Sequence, residues 1–296
     1  KLLPDLVAFS AAVSACAKTG RWQQALRLFT ETRLSNLTPN VVTYSSAISA
    51  YGRHWEWTLV LLDDMKCAQL TPNVVTCGAV ISACEKGQQW EQVLVIMVEM
   101  QQAQTNLSST AFNAAISACE KGKQWQVALL LMSTVQQQGL LLDVITYSAA
   151  ISACEKGQQW QRALMLLSEM RCNILNADVI ICNAAISACE KGSQWIHAVL
   201  LMEEMQRLSL LIDQVTYSAA VSACGTGGKW RHALALLNCM RHSRLLPGAI
   251  ICSAAVSACK AAGRWAEALA LLADLHHDRT AADVAAYSAA AVLCER

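Results

Sequence analysis

The chain repeats itself every 35 residues. Cysteines stand at Cys84, Cys119, Cys154, Cys189, Cys224, Cys259 and Cys294, and tryptophans at Trp90, Trp125, Trp160, Trp195, Trp230 and Trp265, all on that one interval. A period of this size marks an array of stacked supersecondary units, and it outweighs reading the 296 residues as one or two globular domains. The clearest copy is Tyr147–Met170, YSAAISACEKGQQWQRALMLLSEM.

That copy reads as two helices. Tyr147, Ala150, Ile151 and Cys154 fall at i, i+3, i+4 and i+7, an apolar face of helical period. Gly157 follows Lys156 and is expected to end the first helix in the left-handed conformation that glycine adopts readily. Trp160, Ala163, Leu164, Leu167 and Met170 form the stripe of the second helix. A pair this short cannot bury both stripes alone, so neighbouring pairs must stack into one core. The fold class expected is all-α, with about eight helix-turn-helix units in tandem.

Composition agrees once the repeat is known. Hydrophobic residues make up 54% and the mean hydropathy is +0.31, yet charged and polar residues interrupt every unit. No apolar run approaches the roughly 18 residues of a membrane span. Eight of the fourteen cysteines, Cys16 and the seven above, recur at one first-helix position expected to be buried. No C-x-x-C pair occurs, so zinc ribbons and thioredoxin-like sites lack their basic element. These thiols read as small packing groups in a reducing compartment. The net charge of +1 is weakly informative and runs mildly against a nucleic-acid partner, since such domains are often clearly basic.

Whole units run 6–40, 41–73, 74–108, 109–143, 144–178, 179–213, 214–248 and 249–283. Unit 41–73 is short, its loss lying at the inter-helix turn, Tyr51–Trp57, where a local irregularity is expected. Residues 1–5 read as the tail of a preceding unit and 284–296 as the first helix of a ninth, so an excerpt of a longer chain is expected. Pro4, Pro39, Pro72 and Pro247 each stand next to last in a unit, where they end the preceding helix. The last residue of each unit is Asn, Ser, Asp or Gly, the set favoured at helix N-caps.

Units such as 144–178 resemble the pentatricopeptide repeat. The shared features are the 35-residue length, a V-V-T-Y type opening, a lysine closing the first helix, an A-L-x-L-L-x-E-M second helix, and Pro-Asn at a unit's end. The tetratricopeptide repeat differs in period and its signature is absent. The resemblance spans essentially the whole chain. It implies a right-handed α-solenoid that binds single-stranded RNA, one base per repeat. It makes the first base readers Ser10, Ser45, Gly78, Asn113, Ser148, Asn183, Ser218 and Ser253. The second readers would be Asn40, Asn73, Ser108, Asp143, Asp178, Asp213, Gly248 and Asp283. The base-sandwiching position holds Val7, Val42, Val75, Thr110, Ile145, Ile180, Val215 and Ile250, of which all but Thr110 are the expected β-branched aliphatics. By the family's pairing rules the units expect 5′-A-A-n-U-G-U-n-G-3′, with n at the Gly78/Ser108 and Ser218/Gly248 units.

Lys18, Arg53, Lys86, Lys121, Lys156 and Lys191 recur at the far end of the polar stripe and are candidate phosphate contacts, a ladder that Thr226 and Ala261 break. A lysine there is equally favoured by the helix dipole, while close helix packing is the lesser alternative for the serines. The tryptophans start the apolar stripe of the second helix and read as core. The six histidines form no ligand spacing and are expected at the surface. The H-x-E with C-x-x-C signature of deaminase-bearing relatives is missing, and Asp63-Asp64 is the only acidic pair of metallonuclease kind, so no enzyme is expected. Nor is a cofactor, metal, small-molecule ligand or membrane. The partner expected is an organellar transcript, in plastid before mitochondrion, together with a recruited processing factor. The rival reading is a protein-interaction scaffold of the same architecture.

Overall fold

The structure is a computed structural model, and residues 6–35, 37–52, 54–103, 107–243 and 245–277 are described. Arg53, Asp283, residues 1–5 and the expected ninth-unit helix lie outside them. The described residues hold sixteen α-helices and no strand. The chain divides into two compact units, Lys1–Ala153 and Cys154–Arg296, with the division falling inside one helix.

The first unit contains α1 (Leu6–Lys18), α2 (Trp22–Leu34), α3 (Val41–Tyr51), α4 (Trp55–Cys67), α5 (Val74–Lys86), α6 (Trp90–Gln102), α7 (Ser109–Lys121), α8 (Trp125–Gln137) and most of α9 (Val144–Lys156). Here α1 packs on α2 and α3, α3 on α4 and α5, and α5 on α6 and α7. The second unit holds α10 (Trp160–Cys172), α11 (Val179–Lys191), α12 (Trp195–Arg207), α13 (Gln214–Thr226), α14 (Trp230–His242), α15 (Ala249–Ala261) and α16 (Trp265–His277). Here α11, α13 and α15 pack on one another in sequence, α12 and α14 each lie against the odd helices before and after, α10 lies on α11 and α16 on α15. None of the described helices is long and apolar enough to cross a membrane.

Every described helix has 13 residues except α3, which has 11 because unit 41–73 is short at its turn. The first helices bury Ala, Ile or Val and Cys on the predicted face: Val80, Ile81 and Cys84 are inaccessible, as are Ala115, Ile116 and Cys119. Cys16 is half-buried. The described thiols are all free, and burial pushes Cys84, Cys119, Cys154 and Cys224 up to about 11 and Cys189 to about 12.

The helix ends correct one expectation. In α5 the Gln89 N–H reaches the Cys84 carbonyl (2.9 Å) and the Gln88 N–H the Glu85 carbonyl (3.1 Å), the two bonds of a Schellman motif. The left-handed residue is therefore not Gly87 but Gln88 (φ 59°), and likewise Lys123, Gln158 and Ser193. Glycine is required one place earlier for a steric reason. The tryptophan opening the preceding unit's second helix packs against it, so a Cβ on Gly122 or Gly192 would stand 2.3 Å from Cδ1 of Trp90 or Trp160. The tryptophans thus join one repeat to the next.

Three histidines stand beside these junction tryptophans, His54 and His232 exposed as expected and His197 half-buried. His197 and His232, one period apart, cover Trp160 and Trp195 at ring-centroid distances of 5.3 and 4.8 Å, and His54 covers Trp22 at 4.8 Å. Where tyrosine opens unit 41–73, Tyr44 packs edge-on to Phe29 beside the Arg33–Asp64 ion pair. One unit later the corresponding residues are Cys77, Leu62 and the Lys66–Glu99 pair, and they line a cavity of about 180 Å³.

Candidate nucleic-acid interface

The first turn of each odd helix brings the predicted residues together. Asn40, Asn73, Ser108, Asp143, Asp178 and Asp213 stand in the extended conformation ahead of the helix or accept from its third N–H. The acceptor distances are 2.9 Å from Thr43, 2.8 Å from Thr76, Thr146 and Thr216, 2.9 Å from Ile181 and 3.3 Å from Ala111. Each is an N-cap. Where threonine is the third residue its hydroxyl also donates to the cap, at 2.9 Å on Asn40 and 2.8 Å on Asn73. Gly248 holds the same extended geometry and has no side chain to cap with.

Two of the predicted reader pairs touch. Asn113 Nδ2 donates to both Asp143 oxygens, at 3.1 and 2.9 Å, and Thr146 Oγ1 lies 2.5 Å from Asn113 Oδ1. One period-pair later Asn183 Nδ2 reaches Asp213 at 3.3 and 3.4 Å, with Thr216 Oγ1 2.6 Å from Asn183 Oδ1. The donors fix the amide orientation, because a flipped amide would turn its oxygen onto a carboxylate. Burial pushes the Asp143 and Asp213 carboxyls up, but hydrogen bonds from the threonine N–H, its hydroxyl and the asparagine amide outweigh it. Both are held below the usual carboxylate range.

The serine readers are arranged otherwise. Ser10, Ser45 and Ser253 donate to the carbonyls of Val7 (2.9 Å), Val42 (3.0 Å) and Ile250 (2.9 Å), and of the three Ser45 is buried. Ser148 and Ser218 are half-buried, and Gly78 faces open space. Val7, Val42, Val75, Ile145, Ile180, Val215 and Ile250 are 57–72% exposed, an unusual cost for β-branched aliphatics repeated at one position. Ser218, Gly248, Val215 and Ile250 line a single pocket of about 440 Å³ together with Gln214 and Ile251.

The lysine ladder is less open than its sequence implies. Lys121 Nζ stands 2.7 Å from Glu85 of the preceding repeat, which also accepts from Ser117 at 3.0 Å. Lys191 pairs in the same way with Glu155, which accepts from Ser187 at 3.0 Å. Lys18 and Lys86 are exposed without an ion-pair partner among the described residues. Sequence reasoning missed the glutamates, although Glu85, Glu120, Glu155 and Glu190 recur with the period as regularly as the lysines. It also missed the threonine that braces each Asn–Asp pair, whose signal was its fixed place three residues after the cap. No group of described residues could hold a metal ion.

Comparison with known proteins follows this geometry. The PPR repeat family model matches residues 4–53, the pentatricopeptide repeat domain model 60–121 and 130–191, and a PPR repeat model 180–210 and 215–245. No curated protein matches the chain. Among solved structures, the PPR domain of Arabidopsis thaliana protein-only RNase P 1 in complex with tRNA is similar at 12% identity. The match covers 57% of this chain and 90% of that one, with a TM-score of 0.53, a likeness of fold. PPR10 in complex with an 18-nt psaJ RNA element matches at 18% identity and TM-score 0.47. PPR10 from maize matches at 19% identity and TM-score 0.46. These cover 96% and 97% of this chain, which spans about half the length of theirs.

Proposed function

The chain belongs to the pentatricopeptide repeat family, and from that premise we propose that it binds single-stranded RNA, each repeat reading one base. The observation that carries this is the pairing of Asn113 with Asp143 and Asn183 with Asp213, side by side at a first turn and flanked by solvent-facing aliphatics, Ile145 beside the first pair and Ile180 and Val215 beside the second. Nothing in packing calls for a bare aliphatic beside a polar pair in unit after unit. A flat base slotted between two such aliphatics, its edge turned to the polar pair, uses both. That the fold's relatives PPR10 and protein-only RNase P 1 are known bound to RNA supports the reading.

On this reading the chain is a binder without chemistry of its own. It protects or exposes an organellar transcript, in plastid before mitochondrion, and a recruited factor supplies any processing. One observation favours a protein scaffold instead: the Lys121 and Lys191 charges are already matched by glutamates. A filter-binding titration separates the two. Saturable binding to single-stranded RNA should weaken with salt, by a slope of roughly −0.7 per phosphate neutralised, whereas a scaffold gives no saturable binding.

Base reading has its own test. Replacing Asn113→Ser together with Asp143→Asn should move the position read by unit 109–143 from uridine toward adenine. The shift in discrimination should be about 1–3 kcal/mol, the scale of good edge contacts. A random-pool selection whose motif stays unchanged there would reduce both residues to a helix cap and its neighbour.

A further inference from the structure

We propose that Gln214 takes over base reading in unit 214–248, where the second reader is missing. Seven units open their first helix with Leu6, Val41, Val74, Ser109, Val144, Val179 or Ala249, and this one alone opens with an amide. The amide has moved into the place left empty. A Cβ built on Gly248 would stand 2.9 Å from Gln214 Nε2, so the glutamine lies where the cap side chain of Asp143 or Asp213 projects in its own unit. Gln214 is exposed and makes no hydrogen bond among the described residues, nor does the half-buried Ser218 hydroxyl across the pocket. Val215 and Ile250 form its apolar sides.

The chemistry suits one class of ligand, a nucleobase inserted between the two aliphatics. A primary amide offers a donor and an acceptor in one plane, the pattern by which glutamine engages a base edge bidentately. A glycine second reader predicts no preference in this unit; an amide 2.9 Å from that vacant Cβ position predicts one. The glutamine is held by its backbone at the first position of α13, immediately after the Asp213 cap, so its stem is anchored where a single side chain can span to Gly248.

This inference rests on the RNA-binding reading, and one experiment separates their failures. Random-pool RNA selection is run on the full chain, on Gln214→Ala, on Gln214→Glu and on Gly248→Asp. The native chain should show a base bias at the seventh position of its footprint. Gln214→Ala should lose roughly 5- to 100-fold of that discrimination, with the uridines at the Asn113 and Asn183 units unchanged. Gln214→Glu, which can only accept, should turn the position toward guanine and its adjacent N–H donors. Gly248→Asp restores a reader of the Asp143 kind on a backbone that tolerates it, and should select guanine while pushing the flexible glutamine aside. A native chain with bias elsewhere but none at the seventh position overturns the inference and leaves RNA binding standing. So does a bias there that survives Gln214→Ala. Enrichment of no RNA by any version overturns both.

Discussion

Asp143 does two things with one carboxylate, and its acidity ties them together. It caps α9 through the Thr146 N–H and holds the Asn113 amide in a defined orientation. Because these hydrogen bonds favour the ionised form, its folded pKa lies below its unfolded value near 3.9. The stabilisation is therefore complete above about pH 4 and is lost as pH falls through the folded pKa. Asp143→Ala should cost about 1 kcal/mol at pH 7. Denaturant midpoints of native and variant chains, followed from pH 7 to pH 2, should draw together at the acid end. Parallel curves would mean the carboxylate's charge contributes nothing to the cap. The serine readers differ at this same scale. With its proton given to the Val42 carbonyl, the buried Ser45 hydroxyl keeps only its lone pairs, so on the proposed reading it would meet a base as an acceptor, which suits the amino group of a purine.

At the scale of the element, the sharpest constraint is the contact between a tryptophan and the glycine one repeat on. Gly192→Ala puts a methyl 2.3 Å from the Trp160 ring, against an indole held by the helix beneath it, and should cost about 1–3 kcal/mol. Gly78→Ala is the control. It adds the same methyl inside α5 with nothing within 4 Å and should stabilise by about 0.5–1 kcal/mol. Trp160→Ala should cost on the order of 3 kcal/mol, and combined with Gly192→Ala the two penalties should fall well short of their sum. Additive penalties would mean that the ring and the glycine do not meet. The helices themselves were legible in the sequence, because apolar spacing, proline and cap residues act within a few residues of one another. Gly157 shows where such reading stops. Its place after a helix suggested a backbone role, but the left-handed residue is Gln158, and the glycine's need comes in the described junctions from a ring some 30 residues upstream. Glu85 with Lys121 and Asn113 with Asp143 are likewise partners 36 and 30 residues apart. The period placed each residue in its row without saying which rows meet. Cys77 adds a further case: only its packed surroundings reveal that it lines a cavity where unit 41–73 places Tyr44.

Over the whole molecule, the recurring thiols set the response to alkali. Cys77, Cys84 and Cys119 in the first compact unit all have raised pKa values, as do Cys154, Cys182, Cys189, Cys224, Cys252 and Cys259 in the second. Burial is the leading cause in each. A raised folded pKa means that the native state keeps a proton the unfolded chain releases. Stability from these groups is therefore complete below the ordinary thiol value and is lost as pH rises toward the folded one. Each thiol costs roughly 1 kcal/mol for every pH unit in that window. The buried tyrosines Tyr44 and Tyr51 act in the same direction in the first unit, but from an ordinary value of 10.0 against 9.0 for cysteine. Between pH 9 and pH 10 the thiols therefore decide the outcome, and the second unit has more of them. Hydrogen exchange of the reduced chain should show protection falling first in residues 154–277 as pH is raised through that window, once the intrinsic rise in exchange rate is divided out. Replacing Cys189→Ala and Cys224→Ala should flatten the loss in the second unit while lowering its stability at neutral pH. Earlier opening of the first unit, or an alkaline loss that the two alanines leave unchanged, would show that the thiols pack without governing the titration.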